Sequence, residues 1–321
     1  MRLSIIIPVY NVEAYVGQTL ASVFDTTAPA EDFEVIVVND GTEDKSMDVV
    51  RQFADRPNLT VIEQENQGLG AARMKGLSVA TGEYVWFVDS DDWLVEDGVG
   101  KVLNLLAGRP GAEVMRFPLM WVREDGTMDL NKENLLEKEV VVNGRTLVRD
   151  LRLDVVGAQR FVMLRSLFSD SRLLFPQGLL FEDGYFSAVL ITIVRQFHVI
   201  PDIVYFYRVR EGSIMMSLDV SSSYDKVSIH KMVERFRNQA VDPVDRPWFD
   251  RYYFRRLLFA YSRMMPFFQT PEFRKFARSQ GFYVWTQWVR ISPDASWKTK
   301  LKFLRGFLFP DYLPALLGWN K

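Results

Sequence analysis

The sequence predicts an α/β fold: a mostly parallel sheet with helices on both faces, followed by a helical C-terminal extension. Three observations predict it. Four apolar, β-rich segments begin near residues 3 (LSIIIPV), 34 (EVIVVN), 59 (LTVIE) and 84 (YVWFVD), at roughly even spacing. They read as continuous Ile/Val runs instead of alternating ones, as strands covered on both faces do. Amphipathic, helix-like stretches fill the gaps, which gives a βαβαβαβ order with right-handed crossovers.

Each element has a local justification. Asn11 follows the first strand and can cap a helix starting near Val12; Asp44 can cap a helix over residues 45–55. Beyond residue 110 the pattern loosens. EVMRFPLMWV suggests another strand, EDGT a tight turn, and VNGRTLVRDLRLD a capped helix that extends the same sheet. From about residue 225 the chain reads as helices rich in aromatic and basic residues, with DPVDRP at 242–247 as a linker. Three regions result: 1–110, 111–225 and 226–321.

Composition narrows the chemistry. A length of 321 residues at 48% hydrophobic allows one large or two ordinary domains. The absence of cysteine removes disulfides, Cys-ligated zinc, iron–sulfur clusters and thiol nucleophiles. With only His198 and His230 present, acid–base work falls to carboxylates. The first strand is too short for a secretory apolar region, and no uncharged apolar run reaches the ~18–20 residues of a membrane span, so the expected compartment is the cytoplasm. Charge is polarised: residues 1–100 carry 6 Lys+Arg against 18 Asp+Glu, and residues 251–321 carry 13 against 3. An acidic head binds phosphate poorly unless a metal mediates, whereas a basic tail favours anionic surfaces.

The strongest motif is YVWFVDSDDW at 84–93, where an apolar strand runs straight into Asp89, Asp91 and Asp92. With the backbone extended across Ser90, Asp89 and Asp91 point the same way, because strand side chains repeat every two residues. Paired hard oxygens suit Mn²⁺ or Mg²⁺, and open α/β sheets bind ligands beyond the carboxyl ends of their strands. Otherwise, such a cluster is a solvated turn or a helix cap. VIVVNDGTEDKS at 35–46 ends in a second acidic loop. There Asp40 can accept a hydrogen bond from a base or a ribose hydroxyl, or the loop is only a connection capped by Asp44. NQGLGAARMKG at 66–76 has no complete GxGxxG and does not follow the first strand, which rules out a dinucleotide loop. Its Arg73 either holds the sheet-edge carboxylates or reaches a phosphate. In LLFEDGYFSAVL at 179–190, Glu182 and Asp183 offer a general base or a helix cap. YFYRVREGS at 205–213 puts Arg208 and Arg210 on one side of a strand-like segment, which either neutralises a diphosphate or is a solvated edge strand.

In this order and spacing, IIIPVYNVEAYV, VVNDGTEDKS, NQGLGAARMKG, VWFVDSDDW, FEDGYF and YRVREGS resemble family 2 glycosyltransferases with the GT-A fold, a Rossmann-like sheet, over about residues 1–215. The resemblance implies inverting transfer of a sugar from a nucleotide diphosphate donor, commonly a UDP-sugar. The acceptor is a hydroxyl of a saccharide or lipid-linked oligosaccharide, as in bacterial envelope or capsule synthesis, and Mn²⁺ or Mg²⁺ sits on the diphosphate. By position, Pro8, Val9, Tyr10 and Glu13 would surround the nucleoside, Asp40 would bind the base, and Arg73 would lie near ribose and phosphates. Asp89 and Asp91 match the DxD pair, with Asp91 the direct metal ligand. Asp183 matches the general base, assisted by Glu182, and Arg208 and Arg210 match a basic segment closing over the diphosphate. Residues 1–110 then form the donor half and 111–225 the acceptor and catalytic half. Asn39 stands where aspartate is common and Met74 where asparagine is common; Asp92 is an additional acid. No QxxRW follows Glu182-Asp183, which implies a non-processive enzyme adding one sugar per encounter.

Rival classes fit less well. A metal-dependent nucleotidyltransferase opens with a glycine-rich, basic phosphate loop, and PVYNVEAY has no glycine. The intact acidic set stands against a non-catalytic nucleotide-binding relative, and the acidic first half stands against nucleic acid as a partner. The tail, with 19 aromatics among residues 251–321, is either an interfacial helix on anionic lipid or a lid with a basic outer face. If the tail contacts lipid, deleting residues 297–321 releases the protein from anionic liposomes in a sedimentation assay; unchanged binding would remove the membrane reading.

Overall fold

Seven consecutive buried residues, Leu3–Val9, make β1. A strand that has neighbours on both edges and helices on both faces favours apolar side chains, and its polar residue, Ser4, is buried with its hydroxyl donating to Glu34 and accepting from the Gly82 amide. β2 (Phe33–Asp40), β3 (Leu59–Gln64) and β4 (Tyr84–Phe87) join it in parallel, with Leu3 opposite both Phe33 and Tyr84. The computed structural model describes residues 3–130, 136–153, 155–210, 213, 220–250, 252–253 and 270–280. The chain divides into two units, Met1–Met216 and Ser217–Lys321.

In the first unit the sheet continues as expected, through β6 (Val114–Arg116), β9 (Val140–Val142), β10 (Phe161–Leu164) and β11 (Phe197–Val199). Its order is β3-β2-β1-β4-β10-β6-β11-β9, with β10 antiparallel to both neighbours. EVMRFPLMWV is not one strand. It contributes β6 to this sheet and, after a break, β7 (Met120–Arg123) to a second sheet that the sequence did not suggest. That sheet has the order β5-β12-β7-β8, with β5 (Trp93–Leu94), β8 (Met128–Leu130) and β12 (Tyr205–Val209). The expected EDGT turn joins β7 to β8, and Gly126 at φ 81° supplies its left-handed position.

Helices cover both faces of the large sheet. Ile5, Ile7, Val35, Val37 and Trp86 pack against Val16 and Leu20 of α1 (Val16–Phe24) and Val102 and Leu106 of α4 (Gly98–Ala107). Ile6 and Val38 point the other way, and α3 (Leu69–Val79) lies so close over them that a Cβ at Gly76 would sit 2.4 Å from Ile6 Cγ2. On that face Phe87 meets Phe175 edge-on at 5.1 Å, and Phe175 stacks at 4.2 Å on Phe186 of α6 (Asp183–Ile193). These aromatics seat the end of α6 that carries the FEDGYF motif.

Two helix starts differ from expectation. Asn11 caps nothing. Its backbone is left-handed (φ 52°), its Oδ1 accepts from Thr42 and Glu43, and α1 begins only at Val16 after a turn closed on Val12. Asparagine tolerates this conformation, which lets it tie the first loop to the second. Asp44 does accept from the Ser46 amide, but α2 is one short helix, Ser46–Arg51, not a run to 55. Asn143 caps α5 (Gly144–Arg149) through the Thr146 amide, as the sequence suggested.

In the second unit, α7 (Val220–Ala240) packs Phe236 on Phe249 and stacks His230 on Tyr253. DPVDRP is a helix–helix corner and not a domain linker: Asp242 accepts from the amides of Val244, Asp245 and Arg246, and residues 246–250 are helical. Of the basic aromatic tail, a helix at Pro271–Ser279 is described, with Phe273 and Phe276 against Tyr224; residues 297–321 lie outside the described residues.

The approach of α5 to α6 can be tested. A Cβ on Gly144 would lie 1.9 Å from the Ile191 carbonyl oxygen, whereas one on Gly108 meets nothing closer than 3.8 Å. Gly144→Ala should therefore lose about 1–3 kcal/mol in urea unfolding, and Gly108→Ala should change stability by less than about 0.5 kcal/mol.

Candidate active site

The carboxyl ends of β1, β2 and β4 open on one edge, and the loops there interlock through short polar side chains. Val12 N–H donates to Ser46 Oγ, Glu13 N–H to Asp44, and Lys45 N–H back to Glu13. Four hydrogen bonds to Asp44, two from Ser46 and one each from Thr42 and Glu13, hold its carboxyl down at about 2 despite partial burial. Pro8 and Val9 are buried in β1, whereas Tyr10 is 45% exposed. Asp40 is also buried, and it accepts from Gln64 Nε2, Gln67 N–H and Gly68 N–H at 2.7–2.9 Å. Asn39 bonds Glu63 and the Thr42 amide.

This explains the glycines of NQGLG without a phosphate. Gly68, at φ 86°, turns its amide onto Asp40, and at Gly70 a Cβ would lie 2.4 Å from the Pro176 carbonyl oxygen. The loop is closed against residues 175–178 so that α3 can carry Arg73 inward.

Arg73 is the centre of the site. It is 2% exposed; Nη2 donates to Asp89 at 2.7 Å and Nη1 to Glu182 at 2.5 Å, and the guanidinium lies over the Phe175 ring. Of the two readings left open by the sequence, the ion-pair scaffold is the one formed. Glu182 caps nothing, although it precedes α6, because its carboxyl turns to Arg73. Phe181, at φ 63°, is a rare left-handed aromatic just before it, a strained position of the kind found beside functional groups. Asp183 opens α6, where the helix dipole favours its charge, and it is near enough to influence the protonation of Arg73, Glu182 and Tyr207.

The acids after β4 do not continue an extended strand. Asp92 N–H bonds back to Asp89 O, and Thr19 Oγ1 lies 2.8 Å from Ser90 O and 2.6 Å from Asp92 O, so residues 89–92 form a turn. Asp89 and Asp91 are brought near one another by that turn and not by strand alternation. Asp92 is buried, accepting from the Tyr205 hydroxyl and the Arg208 amide at 2.7 Å each, and Tyr205 in turn accepts from Asp89 N–H. Burial and the neighbouring Asp91 and Asp89 push the Asp92 carboxyl well up, and burial with Asp89 also raises Asp91.

β12 is an interior strand of the small sheet, not a solvated edge. Arg208 Nε donates to Asp91 O, Arg210 Nε donates to Asp91 Oδ2 at 2.9 Å, and both guanidiniums lie over Tyr15 at 5.0 and 4.7 Å. The structure thus assembles Arg73, Asp89, Asp91, Glu182, Asp183, Arg208 and Arg210. Pro8, Val9, Tyr10, Glu13 and Asp40 form the adjoining loop layer. Thr19, Tyr205, Tyr207 and Phe181 went unmarked by the sequence; strand alternation in YFYRV was the available signal for the tyrosines.

A family model described as glycosyl transferase family 2 matches residues 4–120, the span that builds the loop layer and the acid turn. Residues 4–120 belong to glycosyltransferase family 2. It is 29% identical over 221 residues to the glycosyltransferase GlyA of Streptococcus pneumoniae (66% of this chain, 31% of that protein). It is 30% identical over 240 residues to a poly(ribitol-phosphate) beta-glucosyltransferase of Bacillus spizizenii (68% and 34%). The crystal structure of Staphylococcus aureus TarS 1-349 in complex with UDP-GlcNAc superposes with a TM-score of 0.74 at 21% identity, covering 87% of this chain and 79% of that one. The chain therefore has the GT-A fold. The chain spans about a third of the length of the two curated relatives.

Burial and the charges of Asp183 and Asp89 raise the Glu182 carboxyl from its ordinary 4.5 to about 7, against the pull of Arg73, which stays charged. A raised folded value means that the folded chain keeps a proton the unfolded chain has released above 4.5. The stabilisation is complete below 4.5 and is lost as pH rises through about 7. Unfolding free energy should fall between pH 5 and pH 8 more steeply in wild type than in Glu182→Gln. Parallel profiles would show a carboxylate held ionised by Arg73 throughout.

Proposed function

We propose that this chain transfers a single sugar from a UDP-sugar to a hydroxyl of a saccharide or lipid-linked acceptor, with inversion, in the assembly of a bacterial surface polysaccharide. The observation that carries this reading is the Arg73 bridge, which sets the acid turn after β4 against the start of α6. A displacement with inversion needs a base on one side of the sugar and charge compensation on the other; the carboxylates at the start of α6 suit the first task, and Arg208 and Arg210 at the acid turn suit the second. Family membership supports the reading, as do relatives whose names and structures refer to glycosyl transfer and to UDP-GlcNAc.

Asp183 takes the proton of the acceptor hydroxyl as its oxygen forms the new bond at the anomeric carbon. The bond from that carbon to the diphosphate breaks on the opposite side, and UDP leaves with the electron pair. Arg208 and Arg210 balance the leaving charge, and Glu182 positions Asp183 through the Arg73 network. Asp40 shapes the nucleoside pocket by fixing residues 64–68, beside Pro8, Val9, Tyr10 and Glu13.

Asp89 gives Oδ1 to Arg73 and Asp91 gives Oδ2 to Arg210, so each carboxylate keeps one oxygen outside these ion pairs. Among the described residues no cluster of three or more His, Asp or Glu could hold a metal by itself. That donor set fits Mn²⁺ or Mg²⁺, which take one or two protein carboxylates and complete their shell with phosphate oxygens and water. Asp91, with Asp89 beside it, would hold the ion, which when bound supplies positive charge to the diphosphate. Among the described residues no helix is long and apolar enough to cross a membrane. Contact with an anionic membrane surface, at the inner face of the cytoplasmic membrane, is assigned to residues 251–321.

Two variants separate these roles. UDP with Mn²⁺ should raise the melting temperature of wild type and of Asp183→Asn alike, because a ligand that binds only the folded state stabilises it. Sugar transfer in Asp183→Asn should fall by about 10²–10⁴-fold. In Asp91→Ala the Mn²⁺-dependent part of the shift should vanish. Full turnover in Asp183→Asn removes the base assignment, and a persistent Mn²⁺-dependent shift in Asp91→Ala removes the metal assignment.

A further inference from the structure

Strand alternation makes β12 a partition. Phe206 and Arg208 face Trp93 and Tyr15, the side on which Arg210 meets Asp91. Tyr205 and Tyr207 face the other way, and the hydroxyl of Tyr207 feels the charges of Asp92, Asp89, Asp91 and Asp183; together with burial they raise it, so it remains a protonated donor. Asp183, the base in the reading above, is among the charges that reach the Tyr207 hydroxyl.

Next to Tyr207, in register on β7, stands Trp121, with ring centroids 5.3 Å apart. Trp121 is 37% exposed, and it continues outward the surface that Tyr207 begins at the acids. Arg123 follows on the same face of β7, and Asp129 is the register partner of Trp121 on β8; both are exposed. An open indole flanked by one cationic and one anionic side chain is poorly suited to a protein interface core, from which charges are depleted. It suits a ring with one apolar face and a rim of hydroxyls, because the electron-rich face of an indole attracts polarised C–H groups.

We propose that Trp121 and Tyr207 seat a pyranose ring of the acceptor, stacked on the indole with its hydroxyls toward Asp129 and Arg123. The inference rests on the transferase reading and adds the acceptor class. A cyclic saccharide is selected over an open-chain polyol phosphate, which has no ring face to stack.

The test is saturation-transfer NMR with methyl pyranosides (gluco, galacto and N-acetylglucosamine) and, as comparator, ribitol 5-phosphate, on wild type, Trp121→Ala and Trp121→Phe. A UDP–Mn²⁺ thermal shift is measured on the same samples. Expected are saturation of ring protons in wild type, a loss of about tenfold in Trp121→Ala, retention in Trp121→Phe, and an unchanged UDP shift in all three. Equal saturation in Trp121→Ala, equal response to ribitol 5-phosphate, or none from any pyranoside would each overturn the acceptor seat. A wild type without a UDP shift would instead overturn the donor reading, and the pyranoside comparison would still decide the seat.

Discussion

The site depends on one buried guanidinium. Arg73 leaves α3 and holds Asp89 with one nitrogen and Glu182, 109 residues further along the chain, with another. A buried ion pair of this kind contributes little net stability, because desolvation of the charges offsets most of their attraction. What it enforces is position. Without it, the turn after β4 and the start of α6 are two acidic loops that repel each other. With it, the two stand at a fixed distance on either side of a cation.

Around that bridge, five carboxyl groups (Asp89, Asp91, Asp92, Glu182 and Asp183) share three arginines, Arg73, Arg208 and Arg210. The local deficit of positive charge appears as carboxyls raised by burial and by one another at Asp91, Asp92 and Glu182. An acid cluster kept short of cations in a fold this well packed is costly, and it is tolerated at sites that bind a cation or move protons. Asp92 shows the structural half of the arrangement. It is held by Tyr205 and the Arg208 amide, and it locks β12 to the acid turn, so the basic strand and the acidic loop cannot drift apart.

The first four strands were legible because parallel strands of a covered sheet are mostly apolar, as LSIIIPV, EVIVVN and YVWF show strongly and the edge strand LTVIE more weakly. The small sheet was not legible. β5 has two residues and β8 three, too few to show alternation, and β12 and β7 are parallel partners distant in the chain. The site residues were legible as types at strand ends, but their geometry was not. Asp89 and Asp91 are brought together by a turn that Thr19 stabilises from outside the motif, and Arg73 meets Glu182 only through tertiary packing. The positive φ of Phe181 leaves no mark in composition at all.

In the proposed reaction one short strand, β12, serves two substrates. Its two faces alternate residue by residue, so arginines and tyrosines interleaved in YFYRVR are sorted to opposite sides by a distance of one residue. The arginine side meets Tyr15 and Asp91, where negative charge is to be compensated; the tyrosine side meets the acids from behind and runs out to Trp121. In that proposal a charged donor and an uncharged sugar ring need different surfaces close together, and the two faces of one strand provide both. A one-residue slip of β12 would exchange the faces, bringing aromatic rings to the diphosphate and guanidiniums to the acceptor. The hydrogen bond from the Arg208 amide to buried Asp92 opposes that slip, since it fixes a backbone atom and not a side chain. The third acid of VDSDDW therefore sets the register on which the proposed separation of donor from acceptor depends.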